Sequence, residues 1–306
     1  MGQKEQIKEI SEKLEQGVKD LFESENYINY LKTMSKFTSY SFNNTLLIAM
    51  QAPYTNYVAG YKKWQSLGRS VCAGAKSIKI LAPCIYKKET SDKDDDTKES
   101  EEKVLKGFRV VSVFAYEQTT GTPLPDIVHK LNGDVDGYAD FIEALKQFSS
   151  VPISFENISG NANGYYSNAD KRIVIEKDMS EQMHCKTGIH EVVHSLLHDK
   201  DNGIEKDVDR HTMEVQAEST AFVVCQYYGL DTSDYSFGYI AGYSSGKDIK
   251  ELKSSLETIR QTAQTIITGI DQQLDTIKQS KQIQTDRDKS ISKDAPAKGH
   301  KRHLRR

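Results

Sequence analysis

Gly188-Ile-His-Glu-Val-Val-His-Ser-Leu-Leu-His198 is the stretch from which the rest of the chain is read. It contains the pattern HExxH at His190, Glu191 and His194. On a helix, positions i and i+4 project from one face, so both imidazoles can reach one ion at about 2.0–2.1 Å. Glu191 lies between them in sequence, placed to hydrogen-bond a metal-bound water rather than to ligate. That is the general-base position of a metallohydrolase. Ile189, Val192, Val193, Leu196 and Leu197 make the rest of the helix apolar, as a buried active-site helix requires. Two plainer readings stay open: a surface helix with coincidental histidines, and a fold that keeps a metal without turnover.

A catalytic zinc usually takes three protein ligands and one water. Twenty residues beyond His194 comes Glu214-Val-Gln-Ala-Glu218, which puts two carboxylates on one face of a second helix. We read Glu214 as the third ligand and Glu218 as the group that orients a ligating histidine, in preference to the reverse. Two histidines from HExxH plus a glutamate on a downstream helix is the gluzincin pattern. His198 continues the first face but falls about 6 Å further along the axis, too far to share the ion. The metzincin alternative needs a histidine where Lys200 stands. His211, Tyr239 and Tyr243 are candidates for stabilising an oxyanion, and spacing does not choose among them. His184 and His129 are expected at the surface. Upstream, residues 164–166 and 172–175 flank an Asn168-Ala-Asp170 turn and form a hairpin. Arg172-Ile-Val-Ile-Glu176 is either the edge strand that receives an extended peptide or an ordinary core strand.

The N-terminal half is read from its charge. Among 306 residues the net charge is only −3, yet residues 26–88 contain no Asp or Glu and nine basic residues. Ten of the 27 aromatics fall in the same window. Lysines that track phosphates and rings that stack on unpaired bases are what a single-stranded nucleic-acid binder needs. Tyr57, Tyr61, Lys62, Lys63, Trp64, Arg69 and Lys76 are the candidates, although Trp64, the only Trp, is read first as a buried core residue. The sign then reverses in ETSDKDDDTKESEEK at 89–103, with eight acids, three lysines and no apolar residue, which reads as a solvated loop. Strands at 77–83 and 108–114 should pair across it. Helices are expected within 4–35, at 45–50, 138–148, 190–198, 213–228 and 250–280, and a strand at 153–155. Residues 281–306, with nine basic and three acidic residues, read as a disordered tail.

Ser41-Phe-Asn-Asn-Thr-Leu-Leu-Ile-Ala-Met-Gln51, Val58-Ala-Gly-Tyr-Lys-Lys-Trp-Gln-Ser-Leu-Gly-Arg69 and Lys76-Ser-Ile-Lys-Ile-Leu-Ala-Pro83 together resemble the N-terminal domain of ArdC-type antirestriction proteins. The HExxH segment, the Glu214/Glu218 helix and Phe237-Gly-Tyr-Ile-Ala-Gly-Tyr243 are similar to the metallopeptidase domain of the same family. The resemblance covers roughly residues 8–245. Ala73-Gly74-Ala75-Lys76 departs from the Lys-Gly-Glu-Lys run usual there and carries one positive charge fewer. The resemblance implies an α+β protein of a plasmid or conjugative element that protects incoming DNA from host restriction.

The expected organisation is an α+β single-stranded-DNA-binding domain at 1–120, then a zincin-like (gluzincin) metallopeptidase domain at 126–249. A helix at 250–280 and the tail complete it. Zn2+ is the expected cofactor and single-stranded DNA the expected partner. A protein substrate or restriction-system component is possible in addition, and no membrane is involved. Four scattered cysteines without a CxxC pair, and an N-terminus without an apolar signal segment, suit a cytoplasmic protein. The alternatives are a pure DNA-binding protein with a structural zinc, or a regulatory metalloprotease that cleaves a repressor or restriction subunit.

Overall fold

The computed structural model describes residues 2–22, 24–88, 102–124, 135–205, 207–233, 235, 237 and 240–293. Ile10, Leu14, Val18 and Leu21 recur at helical spacing, and α1 (Gln3–Leu21) buries that stripe. Helix α2 (Ser24–Lys36) follows, then α3 (Phe42–Gln51), whose N-terminus is capped by the Ser41 hydroxyl accepting the Asn44 N–H. A Cβ at Gly17 would meet the Met50 sulfur at 2.5 Å, so the exposed Met50 side chain is what lies over that glycine where α1 meets α3. Next come β1 (Val58–Ala59), α4 (Tyr61–Ser66) and β2 (Arg69–Val71). The long strands β3 (Ile78–Lys88) and β4 (Glu102–Ala115) form the antiparallel hairpin that the two apolar runs led us to expect. Its register shifts between Cys84 and Ile85, opposite Gly107 at φ 146°, which is a β-bulge. Beyond the bulge Ile85 and Leu105 stand exposed. The acidic segment is shorter than its composition implied: Glu102 and Lys103 already belong to β4, while 89–101 lie outside the described residues.

A single 3-10 turn, Tyr116–Gln118, leads into β5 (Thr119–Gly121), which pairs with β2. After it come α5 (Val135–Phe148), β6 (Ile153–Glu156), β7 (Gly164–Ser167) and β8 (Arg172–Glu176). The sheet order is β6-β8-β7, with β6 parallel and β7 antiparallel to β8. The central strand is therefore Arg172–Glu176, with Ile173, Val174 and Ile175 buried, so it is not an edge that can receive a peptide. That position belongs to β7.

Helix α6 (Glu181–Leu197) carries HExxH and α7 (Arg210–Tyr227) carries Glu214 and Glu218. A Cβ at Gly188 would meet Leu145 Cδ2 at 2.8 Å and Ile175 Cδ1 at 3.3 Å, so that glycine seats α6 on α5 and β8. Asp209 caps α7 by accepting the Thr212 N–H at 3.0 Å. A short α8 (Ile240–Ser244) precedes α9 (Ile249–Lys293). This last helix corrects two expectations. It continues through residues 281–293, read above as disordered tail; 294–306 lie outside the described residues. Nor is it an appendage, since Leu252, Leu256, Ile259, Ile266, Ile267 and Ile270 are all buried. Tyr227 and Tyr228 of α7 both donate to Asp271 of α9, each at 2.9 Å.

One apolar core runs from Ile10 to Leu274 across the proposed domain boundary. Tyr27 of α2 and Ser219 of α7 share a buried hydrogen bond of 2.7 Å. No disulfide occurs among the described residues, and Cys185 and Cys225 are buried. Among the described residues, no helix is long and apolar enough to cross a membrane.

Candidate metal centre

Helical spacing on α6 stacks His190 and His194, and α7 crosses them so that Glu214 joins the pair. The three ligand atoms lie within 4.8 Å of one another. His190 Nε2 and His194 Nε2 are 3.0 Å apart, and Glu214 Oε2 is 3.6 Å from the first and 3.8 Å from the second. A tetrahedral ion with bonds of about 2.0–2.1 Å holds its ligand atoms roughly 3.3–3.4 Å apart. The observed separations bracket that value, so the donor set fits a small divalent cation.

The outer contacts fix which ring nitrogens face inward. Glu218 Oε2 is 3.3 Å from His190 Nδ1, which keeps the proton there and leaves Nε2 as the donor atom. His194 is held differently. Its Nδ1 lies 2.9 Å from His198 Nδ1, and His198 Nε2 lies 2.9 Å from Gln216 Oε1. Burial pushes His198 down to about 4, so its ring is neutral at pH 7 and carries one N–H. With the amide oxygen facing Nε2, that proton points at Gln216. His198 Nδ1 therefore accepts from His194 Nδ1–H, and His194 Nε2 is bare. His198 is not a ligand, and its service to His194 is a contact the sequence reading missed.

Burial pulls the His190 imidazole down, but the Glu214 and Glu218 carboxylates outweigh it and push it up to about 10. The same contacts hold Glu214 well below the carboxylate range. A site that stabilises positive charge this strongly on a proton stabilises it on a cation as well. Glu191 is only 7% exposed, and burial raises it above its ordinary value against the lowering effect of both histidines. Strand β7 passes close beside Glu191, and the Tyr166 backbone acts to lower its carboxyl. Gly164 permits this approach: a Cβ there would meet Thr187 Cγ2 at 2.5 Å and Glu191 Cγ at 3.4 Å.

Two cavities flank these groups. One, of about 610 Å³, runs past Glu214, His198 and Arg210. The other, of about 260 Å³, runs past Thr187, Lys186 and Tyr235. Gly164, His190 and Glu191 line both, so there is room on each side of these groups along the β7 edge. The far side of β7 is anchored through Tyr166, which donates to Asp199, and Lys171 Nζ reaches Asp199 at 2.6 Å.

The oxyanion candidates fare unevenly. Tyr243 is buried with its hydroxyl donating to Ser255 Oγ at 2.8 Å, so it does not serve the site. His211 is exposed with its ring 5.6 Å from that of Tyr243 and lines neither cavity. Tyr239 lies outside the described residues, as does His129. His184, expected at the surface, is buried and paired with the Tyr138 hydroxyl at 2.8 Å.

The DNA-binding candidates divide as well. Tyr61, Lys62, Lys63 and Lys76 are exposed and Tyr57 is half-buried. Trp64 is fully buried, its indole N–H donating to Phe114 O at 3.0 Å. Arg69 is buried too, and donates to Thr119 Oγ1, Thr119 O, Gly121 O and Thr122 O beneath the Tyr116 ring. Both residues hold the domain together, and neither faces a strand of DNA.

The fold and the site together define an α+β protein with a divalent-cation donor set on an HExxH helix. Residues 3–114 match the sequence profile of the N-terminal domain of anti-restriction factor ArdC. Over 95% of its length the chain is 26% identical to an uncharacterized protein of Bacillus anthracis, and it spans about half of that relative, 56%. Among solved structures, the antirestriction protein ArdC of plasmid R388 in its metal-free form aligns at 20% identity and TM-score 0.48, over 77% of this chain and 84% of that one. Its Mn(II)-bound form aligns at 17% identity and TM-score 0.49, over 77% and 85%.

Proposed function

We propose that this chain is an antirestriction protein of a plasmid or conjugative element that binds single-stranded DNA and carries a zincin-like metallopeptidase site. The observation that carries the hydrolytic part is the convergence of His190, His194 and Glu214 beside Glu191 at a free sheet edge. Support for the antirestriction part comes from the match of residues 3–114 to the ArdC N-terminal domain. The 26–88 window, with Tyr61, Lys62, Lys63 and Lys76 exposed, supports contact with a strand.

His190, His194 and Glu214 would hold the ion, for which Zn2+ is the first choice and Mn2+ the comparison. When bound, a divalent ion polarises a carbonyl and acidifies a water molecule. Glu191, raised by burial beside the two histidines, takes a proton from water and delivers it to the leaving amine. The β7 edge aligns an extended peptide across the two cavities.

The test compares wild type with Glu191→Gln for protection of unmodified plasmid DNA entering a restricting host. We expect the variant to keep its metal and its DNA affinity and to lose protection. Equal protection by both proteins would assign the function to DNA binding and reduce the metal to a scaffold.

A further inference from the structure

A cavity of about 500 Å³ lies away from the metal centre, where residues 35–40 and 56–58 meet the C-terminal end of α7. Its size is within the range of small-molecule sites, roughly 300–1,000 Å³, and it sits where the N-terminal and C-terminal parts of the chain join. Phe37, Tyr40, Tyr57 and Tyr227 supply its rings. Those rings are fixed in place. Phe37 meets Tyr40 edge to face at 5.4 Å, and Tyr57 meets Trp64 in the same way at 5.3 Å. The Tyr40 hydroxyl donates to Val58 O at 3.5 Å and the Tyr227 hydroxyl to Asp271 at 2.9 Å. Asn56 and Gln226 bring amide groups, and Lys36, exposed, brings a positive charge. Among the described residues no Asp or Glu lines the cavity; Glu117 is the acidic group that acts on Lys36.

Rigid rings, amides and one cation, without a lining carboxylate, match the chemistry of a nucleotide. Rings offer faces to a base, amides pair with its polar edge, and an ammonium meets a phosphate. We propose that this cavity receives one unpaired base of a bound DNA strand, with Lys36 at the adjoining phosphate. The inference rests on the single-strand-binding reading and adds a defined subsite to it. Tyr57, singled out by composition, lines this cavity, whereas Trp64 beside it belongs to the core.

The test uses the full chain and two substitutions at exposed positions, Lys36→Glu and Asn56→Trp, the second chosen to fill the cavity from its rim. Binding of a fluorescein-labelled oligo-dT is read by anisotropy as a function of salt, and thymidine 5′-monophosphate is titrated separately. Each variant should bind the strand roughly tenfold more weakly than wild type, the loss of one stacked base or its phosphate contact. Lys36→Glu should also reduce the salt slope by about one. A 5-iodouracil in the strand should photocrosslink to Tyr40 or Tyr57. Variants that bind within twofold of wild type, with crosslinks elsewhere, would overturn the subsite while single-strand binding stands. If wild type binds no strand, the single-strand reading fails. In that case monophosphate binding that Asn56→Trp abolishes keeps the cavity as a mononucleotide site, and no such binding removes it.

Discussion

His198 Nδ1 sits 2.9 Å from His194 Nδ1, and Gln216 Oε1 sits 2.9 Å from the other side of the His198 ring. Gln216 is 1% exposed, so a polar side chain has been buried to serve this one contact. If the chain fixes the tautomer of His194, breaking it should weaken the metal rather than the fold. His198→Phe and Gln216→Leu should each lower Zn2+ affinity roughly 10–100-fold, measured by competition with a chromogenic chelator. Nitrogen NMR of wild type should find the His194 proton on Nδ1; affinities within twofold of wild type would show the contact to be idle. The approach of His190 to His194 was legible, because i, i+4 spacing on a helix is a rigid ruler. The role of His198 was not, because it is the residue at which α6 ends, with φ −114° and ψ 10°. There the helical ruler stops, and the ring turns back onto His194. Arg69 was misplaced for a related reason: composition reports which groups are present, and only packing decides which of them meet solvent.

Helix α7 holds Glu214 and Glu218, and its start is set by Asp209. The Thr212 hydroxyl donates to Asp209 Oδ2 at 2.6 Å and the Thr212 N–H to Oδ1 at 3.0 Å. These bonds hold the carboxyl at about 2, below its ordinary value. A depressed carboxylate stabilises the fold above its unfolded pKa of about 3.9, and the contribution is lost as pH falls toward the folded value. Asp209→Ala should therefore cost about 1 kcal/mol at pH 7 in urea unfolding, and the deficit should shrink between about pH 4 and pH 2. A deficit that is absent at pH 7, or unchanged at pH 2, would refute the cap. Elements were read well where period or capping marks them and poorly where polarity misleads. Ile173-Val174-Ile175, buried on both faces, has the continuous apolar run of a central strand, whereas Gly164-Tyr-Tyr-Ser167 has the mixed character of an edge. In α9 the charges of residues 281–293 suggested a tail, yet no Gly or Pro interrupts 270–295, so nothing in the backbone stops the helix.

At the scale of the molecule, the sequence reading divided the chain into domains at 1–120 and 126–249, and one apolar core joins the two parts. Helix α2 lies on α7, the Tyr27 ring meets Phe237 edge to face at 5.3 Å, and Arg260 of α9 reaches Thr38 O at 3.5 Å. The helix that carries Glu214 is thus covered on a neighbouring face by the N-terminal half. Separating the halves would bare Phe222, Val223 and Phe237 on one side and Tyr27, Leu31 and Met34 on the other, all fully or almost fully buried. Apolar surface of that extent drives association or collapse when exposed to water. Residues 2–124 and 135–293 expressed separately should therefore be insoluble or lack a cooperative thermal transition. Co-expressed, they should purify as a one-to-one complex, and Zn2+ should bind that complex with an affinity neither piece has alone. Calorimetry and metal titration on the three preparations decide it. A C-terminal piece that is monomeric, melts cooperatively and binds Zn2+ as tightly as the whole chain would mean that α7 holds its carboxylates without α2. The shared core would then be contact between two self-sufficient domains.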